Sequence, residues 1–254
     1  MDEELYLQRI CESPDNTDIR RKYGHWLSQH DPARGAFVLS ELAWQEETTH
    51  TEDRLKQLTL AASQFDPVWV ARFARPPLGI HRDHLTFSGN RPQITAAALQ
   101  YLEGLLGVQL PAQYRAFLLN QNGGIPSLKH FVLPDGQVRE VGYLLSIFSP
   151  MGEPVDLDID LVGFAQVQFV GGFPPLPDDC KPGIGLPDDL IKIGYCEITG
   201  FGDTLCLGFK GPRRGQVWLL DHCTLPSEEK IEQLVTPSFA EFLRRLSVHR
   251  QSSV

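Results

Sequence analysis

The chain has little of what secreted and membrane proteins need. Its five cysteines are an odd number at irregular positions, which argues against a disulfide framework. No apolar run approaches the length that spans a bilayer, and the first residues, Met-Asp-Glu-Glu, lack the basic segment and apolar run of a secretory signal. We therefore expect a soluble, cytoplasmic protein with reduced thiols and no membrane contact.

Basic residues are also fewer than acidic ones: 23 Lys and Arg against 32 Asp and Glu give the 254 residues a formal net charge of −9. This balance argues against direct binding of nucleic acid, which needs a basic surface. Residues 135–203 contain twelve acidic and three basic residues and carry the same net charge by themselves. Such a segment fits a protein partner with a basic surface. The alternative interpretation is a solvated acidic face that serves solubility.

Recognisable catalytic patterns are missing as well. The run Asp156, Asp158, Asp160 resembles the start of a calcium loop, but Leu161 and Val167 occupy the positions that require glycine and glutamate. Alternation of these aspartates with apolar residues favours an edge strand with one acidic face. No paired Cys-x-x-Cys spacing or nucleophile motif accompanies the cysteines and histidines. We expect no metal, no cofactor and no enzymatic activity, with a metal-dependent hydrolase as the remaining alternative.

The first 75 residues have helical periodicity. Ile19, Tyr23, Trp26 and Leu27 form one apolar stripe, and Asp31-Pro32 restarts the chain as an N-cap followed by a first helical residue. Apolar spacing around residues 55–62, followed by the aromatic residues at 65, 69 and 73, indicates further helix. We predict a domain of four short helices over residues 1–75.

Residues 76–90 lose this period and are predicted to form a linker to a second domain, residues 91–250. That domain opens with a helical stripe predicted to be buried, which consists of Ile94, Ala97, Ala98, Tyr101, Leu102 and Leu105. Gly107 ends the stripe. Leu110-Pro111 opens a second helix, with proline in its first position, and Asn122-Gly123-Gly124 ends it with left-handed residues.

Beyond residue 124 short β-rich runs alternate with glycine, proline and aspartate. Candidate strands are 129–133, 138–148, 166–170, 190–195, 204–210 and 216–221. Cys196 and Cys206 fall in such runs, where cysteine acts as a small apolar residue, and Trp218 is assigned to packing. Thr236-Pro237 is predicted to cap a last helix. The predicted fold class is α+β, with helices that bracket an antiparallel sheet.

Several motifs of the second domain together resemble the SUKH superfamily over residues 91–247. The first is Leu-Pro-x-x-Tyr-x-x-Phe-Leu followed by Asn-Gly-Gly, which comprises Leu110, Pro111, Tyr114, Phe117, Leu118, Asn122, Gly123 and Gly124. The later motifs contain Gly202, Asp203, Trp218, Phe239, Phe242 and Leu243. This superfamily includes the fungal SMI/KNR cell-wall synthesis regulators and many bacterial immunity proteins. Relatives often carry an acidic residue where this chain has Gly208.

The first domain is similar to the bacterial repeat-companion domain over residues 3–47. The shared pattern is Arg20-x-x-Tyr23-x-x-Trp26-Leu27, followed by Asp31-Pro32 and a helix start. Gly24 and His25 replace the alanine and aspartate that usually precede the tryptophan. No biochemical activity comes with this resemblance.

The SUKH resemblance implies binding and not catalysis: an immunity protein that neutralises a cognate toxin, possibly a nuclease, by stoichiometric binding. A toxin that binds nucleic acid needs a basic groove, so an inhibitor is expected to present carboxylates to it. The residues predicted to contribute are Asp156, Asp158, Asp160, Asp178, Asp179, Asp188 and Asp189. The alternative is a regulatory or scaffolding adaptor like the fungal relatives.

Overall fold

The computed structural model describes residues 2–47, 51–89, 93–144, 187–196, 203–220 and 232–248. The described part of the first 75 residues contains five helices, one more than predicted. A turn at residues 63–66 interrupts the helical structure and separates Trp69 and Phe73 from the preceding helix. The helices are α1 (Glu3–Glu12), α2 (Thr17–His30), α3 (Pro32–Glu46), α4 (Glu52–Ala62) and α5 (Pro67–Phe73).

Each of these helices begins at a side-chain cap. The side chains of Asp2, Asn16, Asp31, Thr51 and Asp66 accept hydrogen bonds from backbone N–H groups of the first turn. Asp31 and Pro32 occupy the cap and first helical positions, as predicted. The hairpin between α2 and α3 is tight, since a Cβ on Gly35 would lie 2.4 Å from Ser28 Oγ. The polar N-cap residues of the sequence therefore determine where these helices begin.

The remaining elements form the predicted α+β arrangement. Two helices precede a six-stranded antiparallel sheet with strand order β3-β4-β5-β6-β7-β8, and a last helix follows it; β1 and β2 form a separate two-stranded ladder. Their bounds are β1 (Phe87–Ser88), α6 (Ala96–Leu106), α7 (Ala112–Asn120), β2 (Ile125–Pro126), β3 (His130–Val132), β4 (Val138–Leu144), β5 (Leu190–Cys196), β6 (Thr204–Gly208), β7 (Val217–Leu220), β8 (Glu232–Thr236) and α8 (Phe239–Arg245).

The helix boundaries around α6 and α7 agree with the glycine signals. Gly107 ends α6 at φ +65°, and Asn122, Gly123 and Gly124 follow α7 with positive φ, as predicted. Pro111 is the residue before α7 and not its first helical residue. The boundary prediction was therefore wrong by one position, because the proline backbone is still extended there.

The predicted buried stripe of α6 was partly wrong. Tyr101 is 53% exposed and Ala97 is also exposed, whereas Leu99 and Glu103 are buried. The Glu103 carboxylate accepts a hydrogen bond from Leu110 N at 2.8 Å and pairs with Arg115, 3.0 Å away. This contact with the start of α7 turns the acidic side chain inward. The spacing of apolar residues, on which the prediction rests, does not reveal such a polar contact.

The main core lies between one face of the six-stranded sheet and the helices α7 and α8. Strand residues including Val141, Ile193, Leu205 and Val217 meet Phe117 of α7 and the aromatic side chains of α8. Phe239, Phe242 and Leu243 are buried as the stripe of α8 predicts. The cap of α8 is Ser238 and not Thr236, which ends β8, a strand that the sequence reading did not predict.

A second core fills the helical bundle, and α5 contacts both cores. Trp69, Val70 and Phe73 pack with the bundle, whereas Val68 and Ala71 pack with the α+β core. Residues 76–89 contain no helix and have their own packing, with Ile80 and Leu85 in the α+β core. The domain boundaries at 75 and 91 stay a prediction.

Some predicted features lie outside the described residues. They are the strand 166–170, the last part of the predicted strand 138–148, the acidic strand around residue 158, and Cys180 and Cys223. Among the helices that are described, none combines the length and the apolarity required to cross a membrane.

Candidate functional site

The side of the six-stranded sheet that faces away from α7 and α8, called here the outer face, carries the side chains best suited to recognition. Two β-bulges shape it, one between Val141 and Tyr143 and one between Lys192 and Gly194. Each bulge adds one residue and resets the alternation of the strand. As a result Tyr143 and Tyr195 lie opposite each other in the register.

Tyr143 and Tyr195, called here the tyrosine pair, have ring centroids 5.0 Å apart. Lys192 lies next to them, with Nζ 4.0 Å from the centroid of Tyr195 and hydrogen-bonded to its hydroxyl group. Gly194 allows the strands to approach here, since a Cβ would lie 2.7 Å from Tyr143 O. Tyr143 is 40% exposed. The pair is therefore held in place and still accessible to a partner.

A second group, called here the arginine cluster, consists of Arg213, Trp218, Asp189 and Glu232. The Arg213 guanidinium lies 4.6 Å from the Trp218 ring centroid, which is a cation–π distance. Its Nη1 is 2.7 Å from Glu232 Oε2, and its Nε is 3.6 Å from Asp189 Oδ2. Since four elements supply these residues, the cluster connects the start of β5 to β7, β8 and the turn before β7.

Gly208 explains how this turn is placed. A Cβ at this position would lie 1.9 Å from Arg213 O, so the close approach of the two segments requires glycine. Gly208 therefore allows this turn to bring Arg213 above the ring of Trp218.

Apolar and thiol groups separate the tyrosine pair from the arginine cluster. Leu190, Cys206 and Leu220 form a buried cluster on the outer side, with Trp218 packed against it. Burial raises the pKa of the Cys206 thiol far above its ordinary value and that of Cys196 to about 12. Both thiols are protonated at neutral pH and are poor nucleophiles. They act as packing groups, as the sequence predicts.

Only two of the seven predicted partner-binding aspartates are described. Asp188 is exposed at the start of β5, and Asp189 pairs with Arg213 as above. Asp156, Asp158, Asp160, Asp178 and Asp179 lie outside the described residues. Their role, and whether the seven form one patch, stay predictions.

Other acidic residues of the same segment have basic neighbours. Asp203 Oδ2 lies 3.3 Å from Arg139 Nε, and Glu140 lies within 3.5 Å of both Lys129 and His130. Arg139 and Lys129 place positive charge beside Asp203 and Glu140. The net charge of the segment therefore overstates the field of its described part.

Metal-ligating side chains do not cluster in the described part of the chain. Across 2–47, 51–89, 93–144, 187–196, 203–220 and 232–248, no group of three or more His, Cys, Asp or Glu side chains could hold a metal ion. A cavity of about 30 Å³, lined in part by Cys11, Arg72 and Asn120, lies between the bundle and α7. It has room for about one or two waters.

Neither the tyrosine pair nor the arginine cluster was predicted from the sequence. A signal for the pair exists, because an apolar-Gly-Tyr-apolar pattern occurs at both 141–144 and 193–196. A glycine inside a strand pattern indicates a bulge. Arg213 lies in a basic turn between two glycines, Gly211 and Gly215, but the ring and carboxylates that surround it come from distant positions.

This architecture, helices packed on one side of a six-stranded sheet with an exposed aromatic and charged outer face, defines an α+β binding domain. Comparison with known families identifies it: the chain belongs to the SMI1 / KNR4 family (SUKH-1), which matches residues 93–245. Proteins of this family are generally non-enzymatic immunity or regulatory proteins. No curated protein matches the chain. The resemblance of residues 3–47 to the repeat-companion domain stays a prediction.

Proposed function

We propose that this protein is a cytoplasmic immunity factor that binds a cognate bacterial toxin in a stoichiometric complex through the outer face. The observation that supports the proposal is the set of aromatic and arginine side chains on the outer face. The family to which the chain belongs consists of protein-binding immunity and regulatory domains. Tyrosine, tryptophan and arginine are the residue types that dominate the binding energy of protein interfaces. The tyrosine pair and the arginine cluster supply all three.

The exposed ring of Tyr143 and the exposed side chain of Leu234 mark the accessible parts of this face. Leu234 of β8 lies opposite Trp218 in the register and is 37% exposed. Substitution of Leu234 is expected to cost little stability, because surface changes away from special features usually cost less than about 0.5 kcal/mol. Tyr143→Ala also removes the ring contact with Tyr195, so the unfolding free energy of this variant is measured alongside its binding. Both positions are therefore suitable probes of binding.

A basic toxin surface is the second part of the proposal. The chain has a net charge of −9, and the segment 135–203 carries as much by itself. Opposite charges on two partners raise the association rate, and salt screens that effect. Replacement of Asp188 by Asn is expected to slow association and to weaken its salt dependence. If the toxin is a nuclease, its nucleic-acid groove is the region that the carboxylates would cover.

The experiment is co-expression with the product of each adjacent gene, followed by co-purification and a growth assay. We expect one neighbour to inhibit growth by itself, to co-purify in a 1:1 complex and to lose its toxicity in the presence of this protein. Leu234→Glu and Tyr143→Ala should each weaken the complex at least tenfold.

The matched controls are Leu60→Glu on α4 and Tyr101→Ala on α6. Leu60 is 70% exposed and Tyr101 is 53% exposed, and both lie away from the sheet. They should leave binding unchanged. A neighbour that binds without being toxic would favour the adaptor function, and equal effects of probes and controls would contradict the outer face as the binding site.

A further inference from the structure

We infer that the α+β domain has a second interaction surface, on the side away from the outer face, and that its permanent partner is the chain's own helical bundle. The surface is formed by α7 together with the ends of α8 and β2, and the bundle binds it through α5 and residues 76–89. This inference does not depend on the proposed function, because it concerns the opposite side of the domain.

Helix α5 is the centre of this interface. All six residues from Val68 to Phe73 are buried, so the helix has no solvent-exposed side beyond its first residue. Val68 and Ala71 complete the α+β core, while Trp69 and Phe73 complete the bundle core. Removal of α5 would open both cores at once.

A pair of reciprocal hydrogen bonds fixes α5 on α7. Arg72 Nε donates to Asn120 Oδ1 at 2.7 Å, and Asn120 Nδ2 donates back to Arg72 O at 2.9 Å. Arg72 Nη1 also donates to Glu4 Oε2 of α1 at 2.8 Å. Both Arg72 and Asn120 are buried. Asn120 thus recognises the side chain and the backbone of one arginine, which is specific recognition and not only apolar contact.

Residues 76–89 extend the contact around the α+β domain. Gln113 Nε2 of α7 donates to Pro77 O at 3.3 Å, and Arg82 donates to Leu243 O in the last turn of α8. The segment then adds β1, whose Phe87 pairs with Pro126 of β2.

The same segment is also tied to the bundle. His81 hydrogen-bonds Pro14 O at 2.9 Å, and His84 lies 2.9 Å from Asp15 Oδ2. A segment with partners on both sides is part of an interface. It does not behave as a flexible connection between independent domains.

The test starts from the folded full-length chain, with a protease site inserted between Gly89 and Gln93. Gly89 is exposed, has φ +66° and has open space around its Cα. After cleavage the two fragments should still elute together as a 1:1 particle at micromolar concentration. Asn120→Ala should weaken that association roughly tenfold, since it removes two buried hydrogen bonds.

Gln100→Ala is the matched control, because it removes an amide from an exposed position of α6. It should not change the association of the fragments. Separation of the cleaved fragments under native conditions would overturn the inference.

Hydrogen exchange on the intact chain gives a second measurement that needs no cleavage. The backbone amides of α5 should exchange as slowly as those of β5 to β7, since they would open only in the same cooperative event. Fast exchange in α5 beside a protected sheet would show two independent domains and contradict the inference.

Discussion

The helical bundle and the α+β domain bury polar groups in different ways. In the bundle, Arg20 and Glu41 form a fully buried ion pair at 2.5 Å, and Glu41 also accepts a hydrogen bond from Arg75 N at 2.9 Å. Between the sheet and α7, apolar side chains fill the core, and the hydroxyl group of Tyr114 has no hydrogen-bond partner among the described residues. A buried ion pair therefore helps to orient the helices of the bundle, whereas apolar packing orients α7 on the sheet. In the α+β domain the Glu103–Arg115 pair adds a buried polar contact between α6 and α7.

This difference follows from size and layer count. A bundle of five short helices has few apolar contacts for each helix, so directional polar contacts must help to set the helix positions. A six-stranded sheet already fixes its strands through the backbone ladder. Its core needs shape and volume more than specific polar pairs.

The substitution with the largest expected effect on this comparison is Arg20→Met. It leaves Glu41 buried without its charged partner, which typically costs about 3–5 kcal/mol of unfolding free energy. Urea denaturation monitored by Trp fluorescence measures the loss. The double variant Arg20→Met with Glu41→Leu should be more stable than the single variant, because no charge remains buried. An equally unstable double variant would show that packing and not charge holds these helices.

In the α+β domain the corresponding test is Gly208→Ala. The new Cβ would collide with Arg213 O, so we expect a loss of about 1–3 kcal/mol from overpacking and a displaced Arg213 turn. Gly104→Ala is the control, since that α6 position has open space and alanine favours helix by about 0.5–1 kcal/mol. Thermal melting of both variants compares them directly. Similar melting temperatures would contradict the steric account of the turn.

Acidic pH should destabilise the protein through His81, which lies in the segment between the helical bundle and the α+β domain. Burial, with Arg20 and Arg75 nearby, holds the pKa of His81 well below its usual value of 6.5. The unfolded chain therefore binds a proton at His81 that the folded chain does not, so stability is complete above about pH 6.5 and falls as the pH drops below it. The slope is at most about 1.4 kcal/mol per pH unit. His81→Gln should flatten the curve of unfolding free energy against pH between 6.5 and 5; an unchanged slope would exclude His81 as its source.

The smallest expected effect separates two buried tyrosines. Tyr114→Phe removes a hydroxyl group that has no partner in the described part of the chain and should leave stability unchanged or raise it by up to about 1 kcal/mol. Tyr23→Phe should instead cost about 1–2 kcal/mol, because the Tyr23 hydroxyl donates to Glu3 at 2.7 Å and accepts from Trp69 Nε1 at 2.8 Å. Chemical denaturation of the pair checks the sign. A loss in both variants would remove the contrast between the two cores.

Much of the fold could be predicted from local sequence. Asp31-Pro32 and Gly107 act through backbone chemistry that a few residues determine, and the stripe of α8 is buried as its period indicates. Local sequence does not predict the structure where a contact between distant residues determines it. Glu103 is inside because of Leu110 N and Arg115, and β8 was not predicted because its five residues, Glu-Gln-Leu-Val-Thr, carry only a short apolar signal.

The candidate site was harder to predict for the same reason. The net charge of the segment led to a prediction of binding carboxylates, but a charge count does not show which carboxylate pairs with a cation. Asp189, for example, forms an ion pair with Arg213. Tyr143 and Tyr195 are separated by more than fifty residues and meet only through strand pairing. Sequence spacing therefore cannot place them together, although a glycine before a tyrosine inside a strand pattern is typical of an irregular strand.

The two bulges also bear on how this domain could change its specificity. An extra residue in a strand uncouples the identity of the outward side chains from the identity of the inward ones on either side of it. A shift of the β4 bulge would then change which side chains of this strand point outward on the proposed binding face, while Val141 stays in the hydrophobic interior. On the proposed binding face, insertions or deletions near Gly142 and Gly194 would therefore alter the outward side chains more than a point substitution does.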